Sequence, residues 1–75
     1  MNKTRRQKLA KWLKDLEKIR IELENICSEE EECFDNMPEN LQSSQRGMDS
    51  EMAIEQMNEA ASSIEDAINT IEEIV

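Results

Sequence analysis

Few side chains in this 75-residue chain have types and spacing that suggest chemistry. They are Cys27 and Cys33, the carboxylate run Glu29 to Glu32 followed by Asp35, and Arg46, alone in an otherwise acidic stretch. There is no histidine. A zinc site within one chain therefore lacks ligands, and no nucleophile–base constellation can be assembled. Cys33 follows Glu32, and an adjacent anion raises a thiol pKa, which disfavours the nucleophilic thiolate. On one helix Cys27 and Cys33 project about 240° apart, so they cannot bridge while that helix is intact. The Glu29–Glu32 run attracts hard cations but lacks the loop spacing of an EF-hand, and the Glu-x-x-His motif of di-iron bundles is absent. No catalytic residue, no metal site and no cofactor is expected, and the chain reads as a non-enzyme.

The remaining chemistry is charge. Lys3, Arg5, Arg6, Lys8, Lys11, Lys14, Lys18 and Arg20 face only Asp15 and Glu17 in the first twenty positions, a net of +6. The other 55 residues hold one cation, Arg46, against sixteen carboxylates, a net of −15. A surface so acidic disfavours direct DNA binding, although it could imitate nucleic acid toward a basic partner. At the start of the chain, Arg5, Arg6 and Lys8 lie where a helix N-terminus offers free N–H groups to an anion. Arg46 is either a local neutraliser of nearby carboxylates or a clamp for phosphate or carboxylate. Asn36, Asn40 and Ser44 add directional hydrogen bonds around it.

These groups must be positioned by helices. One Gly, one Pro, one Trp and one Phe leave little capacity for turns or an aromatic core, which points to all-α with one major reversal. Seventy-five residues make one small domain, near the lower limit for a self-sufficient core. No apolar run approaches the roughly 18 residues of a membrane span. The basic start lacks the apolar stretch of a signal peptide, so a cytoplasmic protein is expected.

In the first half, Trp12, Leu16, Ile19, Leu23, Ile26, Cys33 and Met37 step by fours and threes, with Glu30 breaking the series and Leu9, Leu13 and Cys27 widening the stripe. The spacing predicts a helix over about 4–36, capped by Thr4. In the second half Ile54, Met57, Ala61, Ile64, Ile68, Ile71 and Val75 repeat in the same way, and Ala53, Ala60, Ala67 and Ile74 recur by sevens. That predicts a second helix over about 48–75, joined by a linker over about 37–47. Pro38 ends the first helix near Met37 and can open a helical turn to Leu41. The second helix starts at Ser43 or Ser44, or only at Asp49 or Ser50 if Gly47 interrupts it. Phe34 and Leu41 are expected to plug the end of the bundle.

The expected fold is an all-α, antiparallel two-helix hairpin that assembles into a homo-oligomeric helical bundle. Antiparallel packing brings Arg5, Lys8, Lys11 and Lys14 toward Glu65, Asp66, Glu72 and Glu73, and cross-helix attraction then sets the direction of pairing. Three apolar columns exceed what one partner helix covers. Self-association follows, with Trp12, Leu16, Ile19, Leu23, Ile54, Met57, Ala61, Ile64, Ile68 and Ile71 as the oligomer core.

The linker, Phe34-Asp35-Asn36-Met37-Pro38-Glu39-Asn40-Leu41-Gln42 followed by Arg46-Gly47, together with the Lys-rich first helix and the Glu/Ala/Ile second helix, resembles a group of small acidic proteins of bacteriophages and prophages. Small helical oligomers in that setting include sponges for cyclic oligonucleotide immune signals and inhibitors of host nucleases. The resemblance thus implies a non-enzymatic anti-defence protein that sequesters an anionic nucleotide as a homo-oligomer. Arg46, Arg5, Arg6 and Lys8 would hold the phosphates, and Asn36, Asn40 and Ser44 would supply polar contacts. The alternatives are an acidic inhibitor docking on a basic host protein through Glu55 and Glu59, and a purely structural assembly module.

Overall fold

The computed structural model describes all residues from Met1 to Val75 and is entirely helical, with α1 over Lys3–Asp35, α2 over Glu39–Gln42 and α3 over Gln45–Glu72. The molecule is a rod of 58 × 14 × 13 Å with a radius of gyration of 17.1 Å. A compact domain of this length would have a radius near 11 Å. No helix is long and apolar enough to cross a membrane.

The start of α1 lies before the expected Thr4. Asn2 caps it, its side-chain oxygen accepting the Arg5 N–H at 2.9 Å, and Thr4 sits inside the first turn. Asparagine is among the strongest N-caps, so the helix extends to it. At the other end the Asn36 N–H still reaches the Glu32 carbonyl at 3.1 Å. Pro38 then removes the next donor and disfavours helix at Met37. The single turn of α2 follows directly. Ser44 caps α3: its hydroxyl accepts the Gly47 N–H at 3.4 Å and donates to the Leu41 carbonyl. Gly47 therefore does not interrupt the second helix, which begins at Gln45 after its Ser44 cap, matching the earlier of the two expected starts and lying ahead of the approximate boundary at 48.

Gly47 has a different task. It is buried, and a Cβ there would overlap the Gln42 carbonyl oxygen and come within 2.5 Å of the Leu41 carbonyl oxygen. Only glycine lets the backbone of α2 close on the first turn of α3. The Gln42 side chain ties α2 back to α1 by donating to the Phe34 carbonyl at 3.0 Å. Leu41 was expected as an apolar plug, but its side chain is exposed; its backbone forms the contact.

The helices α1 and α3 pack along their length. On α1 the less exposed residues are Leu9, Leu13, Leu16, Arg20, Leu23, Cys27, Glu30 and Phe34, in steps of four and three, with Ala10 beside them and Met37 continuing the series past the helix end. On α3 they are Gly47, Ser50, Ile54, Met57, Ala61, Ile64, Ile68 and Ile71, in steps of three and four, with Ala53 beside them. The α1 seam is thus rotated from the expected one. Glu30, read as a break, belongs to it, while Trp12, Ile19 and Ile26 do not. Cys27, Ala61 and Ile68 are the buried apolar residues of the seam, which runs from the linker half into the terminal half.

Candidate binding surfaces

The most specific polar cluster lies within the seam near the linker. Ser50, buried, donates its hydroxyl to Glu30 Oε1 at 2.6 Å. Cys27 Sγ lies 3.4 Å from Asn58 Oδ1, 3.6 Å from Glu31 Oε1 and 3.8 Å from the Ile54 carbonyl oxygen. Burial pushes the Cys27 thiol pKa up, and the nearby Glu31 carboxylate pushes it further in the same direction by its charge and as a hydrogen-bond acceptor. The thiol is thereby held protonated. It serves as a donor in a packed layer and is poorly suited to attack a substrate. Cys33, one helical face away, is free and exposed. No group of three or more acidic or cysteine side chains converges in a way that could hold a metal ion.

The anticipated anion-binding residues fall into two separate groups. Arg5, Arg6 and Lys8 occupy the first two turns of α1, all exposed. Asn36, Asn40, Ser44 and Arg46 gather around the linker, where Asn36, Asn40 and Arg46 are exposed. From Lys8 to Asn36 the helix rises roughly 40 Å, so one protomer cannot bring the groups onto one small ligand. Ser44 is already engaged at both ends of its hydroxyl as the α3 cap. Arg46 makes no ion pair; the one ion pair in the molecule is Arg20–Glu24, 3.0 Å apart and one turn apart on α1.

The expected pairing of Arg5, Lys8, Lys11 and Lys14 with Glu65, Asp66, Glu72 and Glu73 is therefore not realised as ion-pair contacts. An exposed pair contributes only about 0–1 kcal/mol, against the entropy of fixing two long side chains. Here the complementary charge acts as a diffuse field, without bonds.

A second surface comes from the apolar residues that the seam leaves out. Trp12 is 58% exposed, Ile19 49% and Ile26 54%, at intervals of seven on α1, and Cys33 continues the column. A shallow depression of about 510 Å³ lies along it, lined by Trp12, Asp15, Leu16, Lys18, Ile19 and Glu22. On α3 the column Ala53, Ala60, Ala67 and Ile74 has the same spacing, with the last three exposed. Each column stands one residue before an inward one: Trp12 before Leu13, Ile19 before Arg20, Ala60 before Ala61, Ala67 before Ile68. Of the expected oligomer core, Leu16, Leu23, Ile54, Met57, Ala61, Ile64, Ile68 and Ile71 line the seam inside the protomer, whereas Trp12 and Ile19 face outward. Sequence reasoning merged these two sets because all are apolar. The exposed column was legible only by noticing that Trp12, Ile19 and Ile26 recur by seven.

Comparison with known proteins returns no matching family model, no similar characterised protein and no similar solved structure.

Proposed function

We propose that this chain works by binding and not by catalysis, as an antiparallel helical hairpin that homo-oligomerises through the exposed apolar columns. Support for the antiparallel direction comes from the seam contacts, which run Glu30 to Ser50 and Cys27 to Ile54 and Asn58, climbing one helix as they descend the other. In such a pair the columns that precede the inward ones fall on one flank of the seam. Trp12, Ile19 and Ile26 then lie beside Ala60, Ala67 and Ile74 as one apolar face. The other flank is polar: Glu31 and Asn58 both reach Cys27 there, in line with Glu17, Glu24, Glu51, Glu65 and Glu72.

The observation that carries the reading is the exposure of Trp12, Ile19 and Ile26. Leaving large apolar side chains in water forgoes about 25 cal/mol per Å² that burial would return. The column from Trp12 to Cys33 rises roughly 30 Å along the 58 Å rod, so the apolar face runs over about half the molecule's length. Sedimentation velocity at micromolar concentration is expected to show a dimer or larger assembly, and Ile19→Glu to reduce it to monomer. A wild-type monomer would overturn the reading.

A second reading concerns what the oligomer binds. Arg46 is exposed and unpaired at the linker, in a half of the molecule otherwise devoid of cations. That favours sequestration of an anionic nucleotide, in keeping with the phage or prophage accessory role that the linker's resemblance implies. Arg5, Arg6 and Lys8 join Arg46 only if different protomers supply them. Thermal-shift measurement with cyclic di- and trinucleotides is expected to show stabilisation that Arg46→Ala removes. No shift at saturating ligand would count against nucleotide binding and leave the oligomer reading intact.

A further inference from the structure

The apolar face says that something covers it; the distribution of charge along the rod says what, and in which direction. Residues 21–61, which make the linker half, carry one cation against twelve carboxylates, a net of −11. Residues 1–20 and 62–75, the terminal half, carry eight cations against six carboxylates, a net of +2. The protomer is thus an electric dipole about 58 Å long.

We infer that the covering partner is a second copy of the chain laid face to face with its direction reversed, so that each terminal half lies over the other's linker half. The inference rests on the oligomer reading above and adds to it the orientation. Two isologous arrangements cover the face, and they differ in what meets what. With both linkers at one end, two halves of −11 lie across a gap of about 10 Å, comparable to the Debye length at physiological ionic strength, where repulsion is only partly screened. With the directions reversed, +2 faces −11 twice. Packing alone allows either arrangement, since large-on-small contacts between α1 and the alanine column would serve the first one well. Charge separates them, as like-charge juxtaposition commonly selects among otherwise similar interfaces.

Reversal also accounts for the polarity of α1, which its own macrodipole opposes. A two-fold axis near Ile19 sets α1 against the partner's α1, running the other way. Trp12 then falls opposite the partner's Ile26. Arg5, which extends the same column by one more step of seven, falls opposite the partner's Cys33, next to Glu29. The basic start of one helix is thus matched to Glu29 of the other, the member of the carboxylate run that borders this column; Glu30 and Glu31 stay engaged by Ser50 and Cys27 within their own protomer. Beside this contact the alanines of α3 face their own copies, and small side chains let those two helices approach closely.

The test measures the distance between the two linker tips. Asn40 is exposed and makes no side-chain hydrogen bond, so a spin label on Asn40→Cys leaves the seam untouched, and a Cys33→Ala background keeps the end of the exposed column apolar. Pulsed electron–electron resonance on the dimer is expected to give a separation approaching the length of the rod, about 50 Å. A distribution centred below half that length would overturn the reversed arrangement while the dimer itself stands; adjacent tips would lie within about two helix diameters, roughly 20–25 Å. Sedimentation of the same labelled sample as a monomer would overturn both the orientation and the oligomer reading beneath it.

Discussion

The two halves of the rod solve the same problem, holding α1 against α3, in different ways. In the linker half the seam is polar and specific: Gly47 against the backbone of α2, Ser50 on Glu30, Cys27 between Glu31 and Asn58. In the terminal half the seam is aliphatic, with Leu9, Leu13 and Leu16 on α1 and Ile64, Ile68 and Ile71 on α3. Aliphatic layers contribute burial but tolerate sliding by a heptad, because one Leu–Ile layer resembles the next. A hydrogen bond from a buried hydroxyl does not tolerate it, since a slipped register leaves polar groups unpaired. The linker half therefore sets the register, and the terminal half supplies adhesion without choosing it.

The largest effect is expected at Gly47. Alanine there gains about 1 kcal/mol of helix propensity. Its Cβ, however, would sit against the Gln42 and Leu41 carbonyls, which are backbone and cannot swing aside. Overpacking of this kind costs about 1–3 kcal/mol and occasionally more. Overlap this close with fixed carbonyls puts the cost above that range, so Gly47→Ala should lower stability by about 3 kcal/mol net of the propensity gain, read by urea unfolding followed by circular dichroism. A stability gain would show that α2 is not held against α3. Next comes Ile68, 4% exposed in the terminal half. Truncation to alanine should cost about 2–3 kcal/mol if the site is as well packed as a globular core, and toward the lower end here because its neighbours are only half buried.

Much of the fold was legible in the residues. Pro38 marked the end of the first helix, and the four-and-three spacing of Ile54 to Ile71 identified the inward face of the second. The inward face of α1 was only partly legible from apolarity, because the first helix carries two apolar stripes and one of them, with Trp12, Ile19 and Ile26, points outward. The true seam admits the charged residues Arg20 and Glu30, which look like interruptions. Their meaning depends on residues far along the chain: Glu30 belongs inside because Ser50 donates to it, and Ser50 is placed by the helix start that Gly47 permits. The candidate anion site was legible only as composition. Its residues lie at two ends of a rod because the continuous helix α1 separates them, a distance that composition does not carry.

A smaller effect, with a pH signature, is expected at Cys27. Its folded-state pKa is raised above the ordinary thiol value of 9.0, so folding favours the protonated form. The stabilisation is fully present below the unfolded thiol pKa and lost as pH rises through the folded one. Stability should decline in the alkaline range above about pH 9, beyond the shared effect of other groups. Cys27→Ala should remove that extra decline while Cys33→Ser leaves it, as measured by urea midpoints at several pH values.

The smallest effect distinguishes a polar residue that specifies from one that is merely present. Arg20 is the one charged residue in the inward column of the terminal half, as Glu30 is in the linker half. Glu30 is held by a buried hydroxyl on the opposite helix. The Arg20 guanidinium instead turns along its own helix to Glu24, with its side chain 29% exposed. Ser50→Ala should cost about 1.5 kcal/mol, because a charged acceptor in the seam loses its donor. Arg20→Met removes only an exposed pair worth about 0.3–0.5 kcal/mol and adds apolar contact of similar length, so stability should change by less than about 0.5 kcal/mol in either direction. If Arg20→Met proved as costly as Ser50→Ala, the terminal half would also carry a polar determinant of register. The division between a half that chooses the alignment and a half that only holds it would then fail.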